Sequence, residues 1–157
     1  MTPTTSVLRI GRPVILVAEP NEIIRKVVRE ILVRQGFRVL AVSNATSAQK
    51  VVCRLSSRIA AIVMESAMRA PTGFDLLGEL AKLAPDVPAL VISNPMPGVV
   101  PLERDPLPQA MEYQRDILPK PFPRALLLSK LHALLEARRE RERAPRPSLY
   151  KTASHAR

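Results

Sequence analysis

Ile59-Ala60-Ala61-Ile62-Val63-Met64 is an unbroken apolar run closed by a carboxylate, Glu65. A run this short and continuous reads as a β-strand buried on both faces, because a strand with one wet face would alternate apolar and polar residues. The same signature recurs on either side, in Pro13 to Ala18 (PVILVA) and Pro88 to Ile92 (PALVI), with weaker strands expected at Phe37 to Val42 and Arg115 to Leu118. Helical spacing fills the gaps. Ile24, Val27, Val28, Ile31 and Leu32 mark a helix over Asn21 to Gln35, stopped by Gly36. Ala48, Val51, Val52 and Leu55 mark a second, capped by Ser43 or Asn44. A third is expected after a Thr72 cap, with Phe74, Leu77, Leu80 and Ala81 inward. A last one runs from 123 to about 140 on Leu127, Leu128, Leu131, Leu134 and Leu135. Strand and helix alternate throughout, which predicts a parallel sheet covered by helices on both faces.

One segment breaks the alternation. Pro95, Pro97, Pro101, Pro106 and Pro108 crowd the stretch between Asn94 and Asp116. Each proline removes a backbone donor and clashes with the turn before it, so at most a short helix near Pro106 to Gln114 is expected there.

The chain has 157 residues, 46% of them apolar, which suits one domain with one core and excludes disorder over the whole length. No apolar run is long enough for a membrane helix. The N-terminus lacks the apolar segment of a secretory signal, and the lone Cys53 allows neither an internal disulfide nor a cysteine-based zinc site; a cytoplasmic location is expected. Cys53 itself reads as a small buried apolar residue. There are 24 basic and 14 acidic residues, a net charge of +10. Much of the excess lies in residues 137 to 157, where Arg138, Arg139, Arg141, Arg143, Arg146, Lys151 and Arg157 face only Glu140 and Glu142. Nucleic-acid binding through this arginine-rich end is not the expected reading, since the charge alternation of EARRERER resembles an internally paired, solvent-exposed helix. The expected organisation is a flexible segment 1–12, a domain 13–140 and a basic tail 141–157.

In a doubly wound sheet, ligands bind beyond the C-terminal ends of the strands. Four polar residues hold those positions: Glu19 after the first strand, Glu65 after the third, Ser93 after the fourth and Lys120 after the fifth. One polar residue at a strand end is ordinarily just where the chain leaves the core; two carboxylates, a hydroxyl and an ammonium together point to a shared shallow pocket. No nucleophile–base pair or glycine-rich phosphate loop accompanies them, and His132 and His155 carry no catalytic weight, so no enzyme is expected.

ILVAEPNEIIR (15–25), SNATSAQKVV (43–52), AAIVMESAM (60–68), TGFDLLGEL (72–80), PALVISN (88–94) and ILPKPF (117–122) together resemble the receiver domain of bacterial two-component response regulators. The resemblance covers about residues 13 to 136. It implies a flavodoxin-like α/β fold with strand order 2-1-3-4-5, the fourth helix here shortened or replaced by the proline-rich loop. It also implies a site in which an acidic pair and an aspartate hold magnesium, the aspartate accepts a phosphoryl group from a histidine kinase, and a hydroxyl and a lysine contact that group.

Carried onto this chain, the pattern departs from the family in two places. The acidic pair is Glu19 followed by Pro20, and the phosphoacceptor position is Glu65. Ser93 and Lys120 match, and Ile117 replaces the usual aromatic residue on the fifth strand. Magnesium binding is expected to be weak at best, through Glu19, Glu65 and the Ala67 carbonyl. Glutamate carries its carboxylate one methylene too far for in-line attack, and a misplacement of about 1 Å can cost about a hundredfold in rate. The longer carboxylate can reach Lys120 instead, either imitating part of a phosphoryl group or forming a structural ion pair. The resulting expectation is an atypical, stand-alone receiver acting as an adaptor in a two-component pathway. Its partner would be a histidine kinase or other signalling protein, and the resemblance also implies a homodimer through the fifth strand and last helix as a mode of association. The alternative is a receiver that still takes a phosphoryl group.

Overall fold

The computed structural model describes residues 11–73, 75–94 and 115–145. Five strands, β1 (Val14–Ala18), β2 (Arg38–Val42), β3 (Ile59–Glu65), β4 (Ala89–Ser93) and β5 (Arg115–Pro119), form one all-parallel sheet in the order β2-β1-β3-β4-β5. The helices are α1 (Glu22–Arg34), α2 (Ala45–Leu55), α3 (Leu76–Leu83) and α4 (Arg124–Arg143), with a 3-10 turn at Ser56–Arg58. The fold is the doubly wound, flavodoxin-like one expected. The expected short helix near Pro106 to Gln114 and the inward placement of Phe74 lie outside the described residues.

Alternate residues of each strand serve opposite layers. Leu16, Ala18, Ile62, Met64 and Val91 pack with Ala48 and Val52 of α2 and Leu76, Leu77 and Leu80 of α3. Ile15, Val17, Ala61, Val63, Leu90, Ile92 and Leu118 pack with Val28 and Leu32 of α1 and Leu127, Leu131 and Leu134 of α4. Both faces are thus dry, which is why the central strands carry no polar residue until their last position.

Local chemistry sets the helix starts. Asn21 caps α1, its side-chain oxygen accepting from Ile23 N at 3.0 Å and Ile24 N at 3.1 Å. Asn44 caps α2 by accepting from Ser47 N at 2.8 Å. Asn21→Ala should cost about 1 kcal/mol of stability, the usual worth of such a cap, read as a lower urea midpoint with unchanged slope.

Three expectations need correction. Thr72 does not cap α3: Gly73 takes a positive φ of 82° after it, and the helix starts at Leu76 behind Asp75, which accepts from Leu77 N at 3.2 Å. Val27 is exposed at 47%, because the buried stripe of α1 is the narrower one of Val28 and Leu32. Cys53 is exposed rather than buried, since it lies one residue, about 100° of helix rotation, past the buried Val52.

The last helix runs through residue 143, into the segment expected to be tail, and Arg138 is no solvated tail residue. β1 pairs Val14 with Ile59 and then Ile15 with Ala61, so Ala60 is skipped, as at a β-bulge. The Arg138 guanidinium fills the gap, donating to Ile59 O at 2.7 Å and Ala60 O at 2.9 Å, with its side chain 13% exposed. The expected pairing within EARRERER is present as Arg138–Glu142 and Arg139–Glu136. Among the described residues, no helix is long and apolar enough to cross a membrane.

Candidate functional site

The sheet's own ladder sets the strand-end residues. Glu19 N donates to Val42 O at 3.1 Å, Ser66 N to Ile92 O at 2.8 Å, and Lys120 N to Ser93 O at 2.8 Å. Each strand is thus held by its neighbour up to the residue that leaves the sheet, and the side chains of Glu19, Glu65 and Lys120 meet over the ends of β1, β3 and β5.

The Lys120 ammonium bridges both carboxylates. It donates to Glu19 Oε2 at 3.3 Å and makes a short contact with Glu65 Oε2. The remaining carboxylate oxygens are also engaged: Glu19 Oε1 accepts from Asn21 N at 2.8 Å, and Glu65 Oε1 accepts from Ser66 Oγ at 3.1 Å and Ala67 N at 3.3 Å. Glu19 is 1% and Glu65 4% exposed. Burial works against the charged lysine, but its hydrogen bond to Glu65 and the charges of Glu19 and Glu65 outweigh this, and its pKa lies above the ordinary 10.5. The Lys120–Pro121 peptide is cis.

The site therefore differs from the shallow four-residue pocket expected. Ser93 stands at the end of β4, but its tie to the triad is through its carbonyl. A cleft of about 240 Å³ does open alongside, lined by Pro20, Asn44, Ala67 and Arg69 among others, yet the three charged groups lie outside its lining. Two residues in the surroundings went unnoticed in the sequence. Arg25 clamps the β1–α1 loop, donating to Glu19 O at 2.8 Å and Pro20 O at 3.2 Å, and Ser66 holds one Glu65 oxygen. Arg25 lies four residues after the Asn21 cap, one helical turn back toward the loop, and that spacing is the signal that could have found it.

This donor set does not fit a magnesium ion. An ion shared by Glu19 and Glu65 would have to displace the ammonium that already joins them, and Pro20 brings no oxygen side chain. Among the described residues, no cluster of three His, Cys, Asp or Glu side chains is suited to a metal.

Sheet order, layers and a strand-end site containing a lysine after β5 define a receiver-type signalling module. Residues 15–132 match the model of the response regulator receiver domain, and the chain belongs to that family. A curated relative, the DNA-binding transcriptional regulator NtrC of Bradyrhizobium sp. (strain RP501 Parasponia), is 31% identical over 134 residues, covering 83% of this chain and 26% of the relative. The chain thus spans about a quarter of that relative's length. Among solved structures, a response regulator receiver protein from Sinorhizobium medicae WSM419 is 26% identical with a TM-score of 0.63, covering 82% of this chain and 98% of that one. A CheY-like receiver domain protein from Methanospirillum hungatei JF-1 has a TM-score of 0.67 at 18% identity, covering 83% and 99% of the two chains. At that identity the likeness concerns the fold.

Proposed function

We propose that this chain is an atypical receiver whose output does not depend on a phosphoryl group at position 65 and is delivered by contact with a histidine kinase or another signalling protein. The observation that carries the reading is the buried Glu19–Lys120–Glu65 triad. An acceptor carboxylate must present an oxygen to incoming phosphorus, and both Glu65 oxygens are held by donors. The lysine that would neutralise a bound phosphoryl group already neutralises a carboxylate. A phosphate brings a charge of about −1.5 to −2 and three acceptor oxygens, against one charge and two oxygens for Glu65, so the pair supplies part of that interaction permanently. On this reading the domain catalyses no reaction of its own and needs no magnesium.

Intact mass after incubation with magnesium and acetyl phosphate tests the proposal. The wild type should show no phosphoryl adduct, and an adduct on Glu65 overturns the reading. Glu65→Asp, measured alongside, identifies the block. An adduct on that variant alone assigns silence to the extra methylene, whereas none on either protein implicates Pro20 and the missing metal ligand as well.

A further inference from the structure

The edge of the sheet opposite the triad gathers arginines that are far apart in sequence. Val14 of β1 pairs with Arg38 of β2 and with Ile59 of β3, so three adjacent strands begin in line, about 5 Å apart. Arg12 lies just before β1, Arg38 opens β2 and Arg58 lies just before β3. Arg34 ends α1 and Arg54 lies in the last turn of α2, and both helices finish at this edge. All five are exposed, and among the described residues none forms an ion pair. The connecting segments 11–13, 34–38 and 54–61 contain no Asp or Glu. Glu30, one turn before Arg34, is the nearest acid along α1; Glu136 and Glu142 of α4 are already paired, which leaves Asp86, in the loop before β4, and Glu140 of α4 as the other acids on neighbouring elements, two against five arginines.

Basic residues in the last turn of a helix are favoured by the helix dipole, which accounts for Arg34 and Arg54. It does not account for Arg12 and Arg38, which precede or open strands. Like charges in such excess cost self-repulsion in the free protein, and an anion at this edge relieves it. Guanidinium groups match phosphate in bidentate geometry. Phe37, the one aromatic residue in these segments, is buried at 7% exposure, so the edge offers no platform on which an unpaired base could stack.

We propose that this arginine edge, formed by Arg12, Arg34, Arg38, Arg54 and Arg58, binds the phosphate backbone of duplex nucleic acid without reading its sequence. The end of α4 reaches the same edge, where Arg138 is already engaged with Ile59 O and Ala60 O, and the proposed surface is the neighbouring set of five arginines at the strand starts and helix ends; it is independent of what happens at Glu65.

The test is fluorescence anisotropy of a labelled 20-base-pair duplex of arbitrary sequence with the full chain, between 50 and 200 mM salt. Each phosphate neutralised contributes about 0.9 to the slope of log affinity against log salt, so a slope of about −4 is expected. Arg38→Glu/Arg58→Glu should weaken binding at least about tenfold and flatten the slope by about 2. Lys26→Glu/Arg124→Glu, at the opposite end of the sheet and with the same change in net charge, should leave binding within about threefold. Unchanged thermal melts establish that both variants are folded, and Arg38→Gln/Arg58→Gln repeats the test without introduced acids. Equal losses in the two charge-reversed proteins overturn the proposal, since the effect would then be net charge alone. Absence of salt-dependent binding overturns it too, as does tighter binding to polyglutamate or to a single strand of the same length.

Discussion

Lys120→Met should cost about 3–5 kcal/mol of stability at neutral pH, the penalty for removing one partner of a buried ion pair. For a domain of this size that is a fall of roughly 10 °C in the unfolding midpoint. The loss is large because the lysine serves two carboxylates, and without it both remain buried with like charge. Glu65→Gln leaves Glu19 and Lys120 as a pair and should cost less, and the double variant Glu65→Gln/Lys120→Met should cost less than the two single changes combined, by about 0.5–3 kcal/mol. The pH dependence has a definite sign. The folded-state pKa of Lys120 is raised above the ordinary 10.5, so its stabilisation is fully present below that value and is lost as pH rises through the folded-state pKa. The gap between wild type and Lys120→Met should therefore narrow in strong alkali, as thermal melts across a pH series would show.

Arg138→Ala should cost about 2 kcal/mol, in the range for hydrogen bonds made by a charged group. The substitution leaves Ile59 O and Ala60 O without their side-chain donor where β1 skips a residue of β3. Arg138→Lys should recover only part of the loss, because a single ammonium cannot reproduce the fork that reaches both carbonyls and Glu142. Urea unfolding checks both variants, the expected signature being a lower midpoint with an unchanged slope. A cost near zero for Arg138→Ala would mean that water satisfies the skipped carbonyls equally well.

The strands were legible because Ile59 to Met64, Pro13 to Ala18 and Pro88 to Ile92 are apolar on both faces, a pattern that few folds other than a covered parallel sheet explain. The positions of Glu19, Glu65 and Lys120 followed from where the apolar strand runs end, since the ladder carries each strand to its last residue. Their mutual arrangement was less legible. Sequence showed that Glu65 could reach Lys120, but not that one ammonium would satisfy Glu19 as well, nor that the Ser93 hydroxyl would stay out of the triad. Val27 and Cys53 were misplaced for a simpler reason: periodicity fixes the centre of a buried stripe better than its width. Arg138 was hidden inside a charge run, and nothing in EARRERER distinguishes the one guanidinium that meets a skipped residue on a distant strand. The arginine edge was invisible for a related reason, as its members are scattered over 47 residues of chain and come together only through the strand register.

β3 is fastened to the β5–α4 segment at both of its ends. At one end Glu65 holds Lys120, four residues before the first residue of α4; at the other, Ile59 and Ala60 hold Arg138. The seven residues from Ile59 to Glu65, fastened residues included, span about 20 Å. Together they make a frame with a rung at each end. Cutting the upper rung leaves the lower one as a pivot, so the resulting displacement is greatest around Phe122 and Leu126 and smallest beside Arg138. A partner able to sense the condition of Glu65 should therefore grip α4 by its first turn.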